Sequence, residues 1–256
     1  PKQLGKWAKG NEETKNTYQI EEKYFKPILR SSKAINRLSF EHDNQNFVLS
    51  INPQPKAALQ KGVLDYISWG EEQKTRQRQK TKAGIPWPQT SSVKTRNFWY
   101  SIPKQNLEEA HLFMQYVAND KFYCPFVEVP MTSDRCFHRV FPNIDNKLLA
   151  AALNSTLQAL FVMLTGRENL GQGALKFEAS DAKRCHCFVP DEEYSASLIQ
   201  AFSALGNRLP QSLFVECGIN PEFDTPIEEQ EPQPLPDRKA LDDVIFDALE
   251  LTQEER

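Results

Sequence analysis

Residues 148–190, LLAAALNSTLQALFVMLTGRENLGQGALKFEASDAKRCHCFVP, restrict the fold more than any other stretch. Leu149, Leu153, Leu157, Leu160, Phe161 and Leu164 recur at spacings of three and four, which puts them on one face of a helix. Asp145 or Asn146 suits its N-terminal cap, and Gly166 suits a left-handed residue that ends it. Two close glycines follow, Gly171 and Gly173, then a β-like run over 174–177, a turn of helix opened by Ser180, and an apolar run closing at Pro190. Helix, Gly-x-Gly turn, strand, short helix and strand make a compact α+β unit.

The surroundings of this unit are electrically uneven. Residues 221–256 hold twelve acidic and three basic side chains, a balance of −9. The whole chain carries −3, so residues 1–220 carry +6. Within them, residues 73–104 hold eight Lys or Arg and no acid. A face that binds a polyanion is therefore compatible with a weakly acidic whole. The 256 residues are enough to bury a sizeable core, no run of about 18 apolar residues predicts a membrane span, and no signal peptide is visible. With Pro1 in first place, the natural start is expected to be missing. Five scattered cysteines, an odd number, suit a reducing cytoplasm better than a disulfide framework.

Along the chain, residues 1–19 are polar and without periodicity, and partial disorder is expected there. Residues 20–29 read as a helix with Pro27 near its end, and 47–51 as a strand stopped by Asn52-Pro53-Gln54-Pro55. Residues 57–69 read as a helix with Leu59, Val63, Tyr66 and Ile67 on one side, ended by Gly70. The run EEQKTRQRQKTK (71–82) has two readings, a solvated face or a phosphate-contacting arm. Trp87, Phe98, Trp99 and Tyr100 lie in the same acid-free segment, either to stack on bases or, the favoured reading, to pack in a core. Residues 111–117, 121–129 and 136–141 predict strands of a small antiparallel sheet, with Arg135, His138 and Arg139 on turns or outward faces as candidates for base or phosphate contact. Residues 192–209 read as an amphipathic helix carrying Leu198, Phe202 and Leu205. An acidic, proline-rich linker over 224–236 precedes a last amphipathic helix with Leu241, Val244, Ile245, Ala248 and Leu249. Cys185-His186-Cys187, with Cys124, Cys136 or His138, is a weak metal pattern, since no C-x-x-C or H-x-x-x-H spacing accompanies it. No metal and no clustered nuclease site is expected.

Several segments resemble one family. Leu153-Asn154-Ser155, Gly166-Arg167, Gly171-Gln172-Gly173-Ala174-Leu175-Lys176 and Phe188-Val189-Pro190 look like the C-terminal target-recognition region of N6-adenine DNA methyltransferases of restriction–modification systems, mostly the large single-chain type II and IIG kind. VKTRNFWY (93–100) is similar to the family's K-x-R-x-x-WY segment, YFKPILRSSKAINRLSF (24–40) to its opening segment, and DRKALDDVIFDALELTQEER (237–256) to its C-terminal segment. The matches keep the family's order from about residue 20 onward. The resemblance implies an α+β target-recognition fold with a mixed or antiparallel sheet. Residues 1–70 would be its opening segment, 71–220 the DNA-recognition core, and 221–256 the acidic linker and terminal helix.

By the same implication, the parent protein moves a methyl group from S-adenosylmethionine to adenine N6, and this chain docks on double-stranded DNA beside a methyltransferase domain that it lacks. No Asn/Asp-Pro-Pro-Tyr/Phe loop is present to hold a flipped base. Asn220-Pro221-Glu222-Phe223 lacks the second proline, and an acid would sit near the base. Gly171-Gln172-Gly173 follows a helix where a nucleotide loop would open one from a strand, so the chain by itself is expected to be non-catalytic and without cofactor. The residues expected to meet DNA are Lys74, Arg76, Arg78, Lys80, Lys82, Lys94, Arg96, Arg135 and Arg139, with Arg167 and Gln172 near the glycine turn as weaker candidates. The alternative from another class is a stand-alone protein-interaction module that uses the acidic tail and terminal helix.

Overall fold

A proline has no N–H to donate and its ring crowds the carbonyl four residues back, so Pro27 does not sit inside a helix. Residues 20–29 accordingly form a 3-10 turn, Glu22–Tyr24, and then a strand, in place of the expected helix. The structure, a computed structural model, describes residues 18–41, 46–76, 83–167 and 173–256. Its elements among the described residues are β1 (Phe25–Leu29), β2 (Ser39–Phe40), β3 (Phe47–Leu49), α1 (Lys61–Glu72), β4 (Ala110–Gln115), β5 (Val117–Ala118), β6 (Phe126–Ser133), β7 (Phe137–Val140), α2 (Asn146–Leu153), α3 (Thr156–Thr165), β8 (Leu175–Lys176), α4 (Ala179–Ala182), α5 (Glu192–Leu205), α6 (Leu213–Glu216) and α7 (Pro236–Ala248). Strand pairing is mixed and the fold is α+β. No single helix among the described residues is long and apolar enough to cross a membrane.

The chain divides into two units, one drawn from Pro1–Pro27 and Gln45–Glu108, the other from Ile28–Asn44 and Glu109–Arg256. β1 crosses the boundary. In the first unit its residues Phe25 to Pro27 pair antiparallel with β3. The core there gathers Ile20, Tyr24, Ile51, Leu59, Val63 and Ile67. The α1 N-terminus has no local side-chain cap. Glu21 supplies one from a distance, its carboxylate accepting from the N–H groups of Gly62 (3.0 Å) and Val63 (3.2 Å). Gly70 does not end α1, which runs on to Glu72. A Cβ at Gly70 would lie 2.8 Å from the Trp99 ring, so glycine is there for close approach.

In the second unit β6 pairs antiparallel with β4 and parallel with β2 and the end of β1, and β7 pairs antiparallel with β4. Helices α2, α5 and α7 add Ala150, Ala151, Leu198, Phe202, Leu205, Leu241 and Ile245 to the sheet's apolar core. Leu241 and Ile245 are fully buried, so α7 packs within this unit. Each contributes roughly 1.5–3 kcal/mol by leaving water, before ordering costs. The segment expected as a free linker is tethered. Leu235 N–H donates to Glu216 (2.9 Å), Gln230 bonds the Asn220 backbone in both directions, and a Cβ on Gly218 would meet the Gln233 carbonyl.

The long apolar helix expected over 148–165 is two helices bent by 70° at Asn154 and Ser155. Asp145 caps the first, accepting from Lys147 and Leu148 N–H. Asn154 then turns its amide away from the helix axis, onto the buried peptide of Cys124. Its Oδ1 accepts from Cys124 N–H (2.9 Å), while its Nδ2 donates to the carbonyls of Cys124 (2.8 Å) and Ala150 (2.7 Å). Ser155 Oγ caps α3 by accepting from Gln158 N–H. The bend separates the leucines, with Leu153 buried but Leu160 and Leu164 exposed. Gly166 is extended (φ −67°, ψ 157°), not left-handed. Its smallness counts, because a Cβ would stand 3.1 Å from that of Leu175. The strand expected at 185–190 does not form, and α4 starts after Glu178, one residue before the expected Ser180.

Replacing Asn154 by Ala orphans the buried N–H and carbonyl of Cys124, at about 1–3 kcal/mol for each group left without a partner. Asn154→Ala should lower unfolding stability by about 2–4 kcal/mol in urea titration, whereas Leu164→Ala, at an exposed site, should change it by no more than about 0.5 kcal/mol.

Candidate nucleic-acid interface

In the first unit the acid-free segment folds back at its base. Lys74 and Pro86 form a β-bridge, Thr75 N–H donates to Ile85 (2.8 Å), and Trp87 N–H donates to Gln73 (3.1 Å). Lys74 and Arg76 are exposed at this base. Arg78, Lys80 and Lys82 lie between its two sides in sequence, outside the described residues. Lys94 is exposed on the turns that follow; Arg96 is half-buried, its guanidinium donating to the Ser101 carbonyl (2.6 Å) and closing its own loop. The aromatic residues of the segment serve as anchors. Trp87 meets Trp69 edge-on at 5.4 Å, and Trp99 and Tyr100 pack on the unit's core. Trp99 Nε1 donates to Glu71 and the Tyr100 hydroxyl to the Gln54 carbonyl. They hold the described parts of the segment to the unit's core.

In the second unit Arg135 is exposed on the β6–β7 turn, which an Asp134 carboxylate closes by accepting from Cys136 N–H (2.8 Å). Arg139 is half-buried on β7, its Nη1 3.4 Å from Thr132 Oγ1. His138 is committed internally: its Nε2 lies 2.6 Å from the Phe177 carbonyl and its ring meets Tyr116 edge-on.

In sequence, the glycine-rich stretch lies between Arg167 and Lys176, which form an antiparallel β-bridge. Arg167 and Lys176 exchange backbone hydrogen bonds (3.1 and 3.0 Å), and Lys176 also pairs with Val117 of β5. Gln172 lies within that stretch, outside the described residues. Around the bridge are charged side chains that sequence inspection did not single out. Asp181, fully buried, accepts from Arg167 and from Arg184. Glu178 accepts from the Tyr116 hydroxyl (3.0 Å) and pairs with Lys176, whose ammonium sits over the Tyr116 ring. Burial alone would raise the Asp181 pKa. The Arg167 guanidinium, the Glu178 N–H and Arg184 outweigh it and hold the carboxyl below its ordinary value. Glu178 is lowered first by Lys176 and then by Tyr116, and Lys176 is raised first by Glu178 and then by Tyr116. The available signal for Arg184 was Asp181 three residues before it, a spacing that places two side chains together on one helical turn.

These groups offer guanidinium and ammonium donors to an anion or to hydrogen-bond acceptors. Among the described residues no group of three or more His, Cys, Asp or Glu is placed to hold a metal ion. The thiol of Cys124 is pushed well up, first by burial. Asn220-Pro221-Glu222-Phe223 is a turn in which Asn220 Oδ1 accepts from Glu222 N–H. A mostly apolar cleft of about 220 Å3 lies in the second unit beside Phe122, Met163 and Phe214; the charged pair on its wall, Glu216 and Arg238, is already mutually bonded.

A family model described as "Type II methyltransferase M.Eco57I, C-terminal domain" matches residues 10–212. No curated protein matches the chain. The matched span ends before α6 and α7, although α7 belongs to the second unit's core.

The carboxylates of this unit have a pH consequence. Asp181, Glu216 and Asp237 have lowered pKa values, the first two against burial through Arg167 and Arg208 respectively, the third chiefly through Arg208. A lowered folded pKa contributes stability that is complete above the ordinary carboxylate value, about 4, and is lost as the pH falls through the lower folded value. Asp242 runs the other way: burial raises it, so its contribution fades as the pH rises through its folded value. Because the lowered carboxylates, Glu178 among them, outnumber Asp242, the thermal midpoint should fall steeply below about pH 4. Asp181→Asn should shallow that fall, and a melting profile of unchanged steepness would remove Asp181 from the account.

Proposed function

Because the chain belongs to the family of C-terminal domains of type II methyltransferases described for M.Eco57I, we propose that it is the DNA-recognition part of an S-adenosylmethionine-dependent N6-adenine methyltransferase of a restriction–modification system, working on DNA in the cytoplasm. Family membership across residues 10–212 carries this reading. The basic, acid-free segment and the guanidinium cluster at Arg167 support it, because duplex DNA is met through phosphates for affinity and through base edges for sequence. In this reading Lys74, Arg76, Arg78, Lys80, Lys82, Lys94 and Arg96 meet phosphates, and Arg135 and Arg139 add contacts from the second unit. The major groove is the surface read, since there each base pair shows a distinct pattern of donors and acceptors.

S-adenosylmethionine belongs to the parent reaction, as the methyl donor. The described residues do not fit it: among them no strand leads through a glycine-rich loop into a helix, and the turn at Gly173 follows a helix. In this reading the cofactor and the target adenine belong to a methyltransferase domain outside this chain. The role of these residues is to dock and orient the duplex so that the domain receives one particular adenine.

Two outcomes test the reading. Purified chain should bind S-adenosylmethionine no more tightly than millimolar in calorimetry and should transfer no methyl group to DNA. Micromolar cofactor affinity would place the catalytic function here instead. Duplex binding should weaken with salt: if about six basic residues engage phosphates, log K falls against log salt with a slope near −5. Lys74→Ala with Arg76→Ala should reduce that slope by about 2 and weaken all duplexes alike. An unchanged slope would make this segment a solvated face and move the docking surface elsewhere.

A further inference from the structure

The Arg167 side chain is half exposed (49%), yet its partner carboxylate, Asp181, is fully buried (0%). One oxygen of Asp181, Oδ1, accepts from Arg167 Nε (3.1 Å), Arg167 Nη2 (2.7 Å) and Arg184 Nη2 (2.8 Å). The other, Oδ2, accepts from the Glu178 backbone N–H (3.0 Å). The carboxylate is thus held by the start of α4, and it holds the guanidinium. Arg167 is also fixed at its own backbone by the two bonds to Lys176. Both ends of the side chain are constrained.

The constraint has a direction. Asp181 engages the Nε–Nη2 edge of Arg167, and no described residue bonds Nη1; the remaining contact of Nη2, to Ser180 Oγ, is long at 3.5 Å. The end-on edge, Nη1 with the second hydrogen of Nη2, therefore has no partner among the described residues, on a side chain that is half exposed. Two parallel donors on a rigid planar fork match two adjacent acceptors, and in the DNA major groove the O6 and N7 of guanine are such a pair. A phosphate asks less, since a mobile lysine satisfies it. Capping of α4 by Asp181 also asks less, since Oδ2 alone provides it. Exposed ion pairs contribute little stability, so a buried carboxylate spent on orienting an exposed arginine is better explained by what the arginine touches.

Resting on the DNA-docking reading above, we propose that Arg167 is a base-reading residue that recognises a guanine in the major groove, with Asp181 as its positioning residue and Arg184 as the second guanidinium that braces the same carboxylate. The proposal changes Arg167 from a phosphate contact, indifferent to sequence, into a determinant of specificity.

The test uses the full chain and a pool of duplexes with a randomised central segment, from which bound duplexes are recovered and sequenced. Affinities are then measured for the selected sequence and each single-position change. The wild-type chain should select at least one position where replacing G weakens binding roughly 5- to 150-fold, the range for one bidentate contact. Arg167→Lys keeps the charge and loses the fork. It should reduce that preference to about twofold or less, with the other selected positions and the salt slope kept. Asp181→Asn removes a negative charge, so its affinity for unselected duplexes should hold or rise while the guanine preference falls; a phosphate role for Arg167 predicts no loss of preference. Should Asp181→Asn fail to fold, judged by its melting curve, Arg167→Lys decides alone. Retained preference in Arg167→Lys overturns the proposal. So does an Arg167→Ala variant that weakens every duplex equally with the slope reduced by about 1. Salt-sensitive binding with no selected guanine also overturns it and leaves DNA docking standing. No duplex binding at all overturns both.

Discussion

The second unit depends on how one buried irregular segment satisfies its backbone. Tyr123 and Cys124 lie between β5 and β6 with no strand partner, and both are buried. Peptide groups in that position must find hydrogen bonds or lose stability. Gln115 takes the N–H of Tyr123 (2.9 Å), and the amide of Asn154 takes both the N–H and the carbonyl of Cys124. An asparagine with that duty ends α2 and cannot prolong it. The break exposes a fresh helix start at α3, and the Thr156 N–H and hydroxyl there donate to Asp242 of α7 (2.8 and 2.5 Å). Arg238 of α7 donates to the Asn154 carbonyl from the other side. The chain's LNS and DR-x-x-LD segments, 84 residues apart at Asn154 and Arg238, are thus halves of one junction.

The same junction alters the meaning of charge. Counted along the chain, the last 36 residues are a strongly acidic tail. In the fold, Glu216 is buried between Arg208 and Arg238, Arg208 also holds Asp237, and Asp242 is buried against α3. Asp237 and Asp242, two of the tail's twelve acids, are thus paired or hydrogen-bonded within the unit, and α7 presents its apolar side to the core. The basic residues divide in a similar way. Lys74, Arg76, Lys94 and Arg135 are exposed on turns and loop bases, where screening by salt is strong. Arg167 and Arg184 are tied to a buried carboxylate, and Arg96 to a carbonyl.

Elements whose apolar spacing coincides with a single packed face were legible in the sequence. The α5 stripe of Leu198, Phe202 and Leu205 is fully buried, α1 buries Val63 and Ile67, and the strands expected near 47, 111 and 136 lie close to where they form. The family was legible too, because its residues recur in order at closure points of the backbone. The expectations that failed share a cause. A periodic run through Asn154 looks like one helix until Cys124, 30 residues earlier, claims the amide. Gly70 and Gly166 look like terminators, but a side chain from elsewhere, Trp99 or Leu175, needs the space. Residues 185–190 alternate like a strand, yet no strand forms there.

The amino-acid sequence by itself therefore determined the α+β class, the family, most of the helices and strands, and the uneven distribution of charge, since these depend on spacing within a short window. Tertiary structure decided where the longest helix breaks, which carboxylates are buried with which arginines, and which edge of Arg167 Asp181 engages. Each of these is a pairing of polar groups distant in the chain or across a turn. Its strength comes from removal from water, a condition that exists only once the unit has folded.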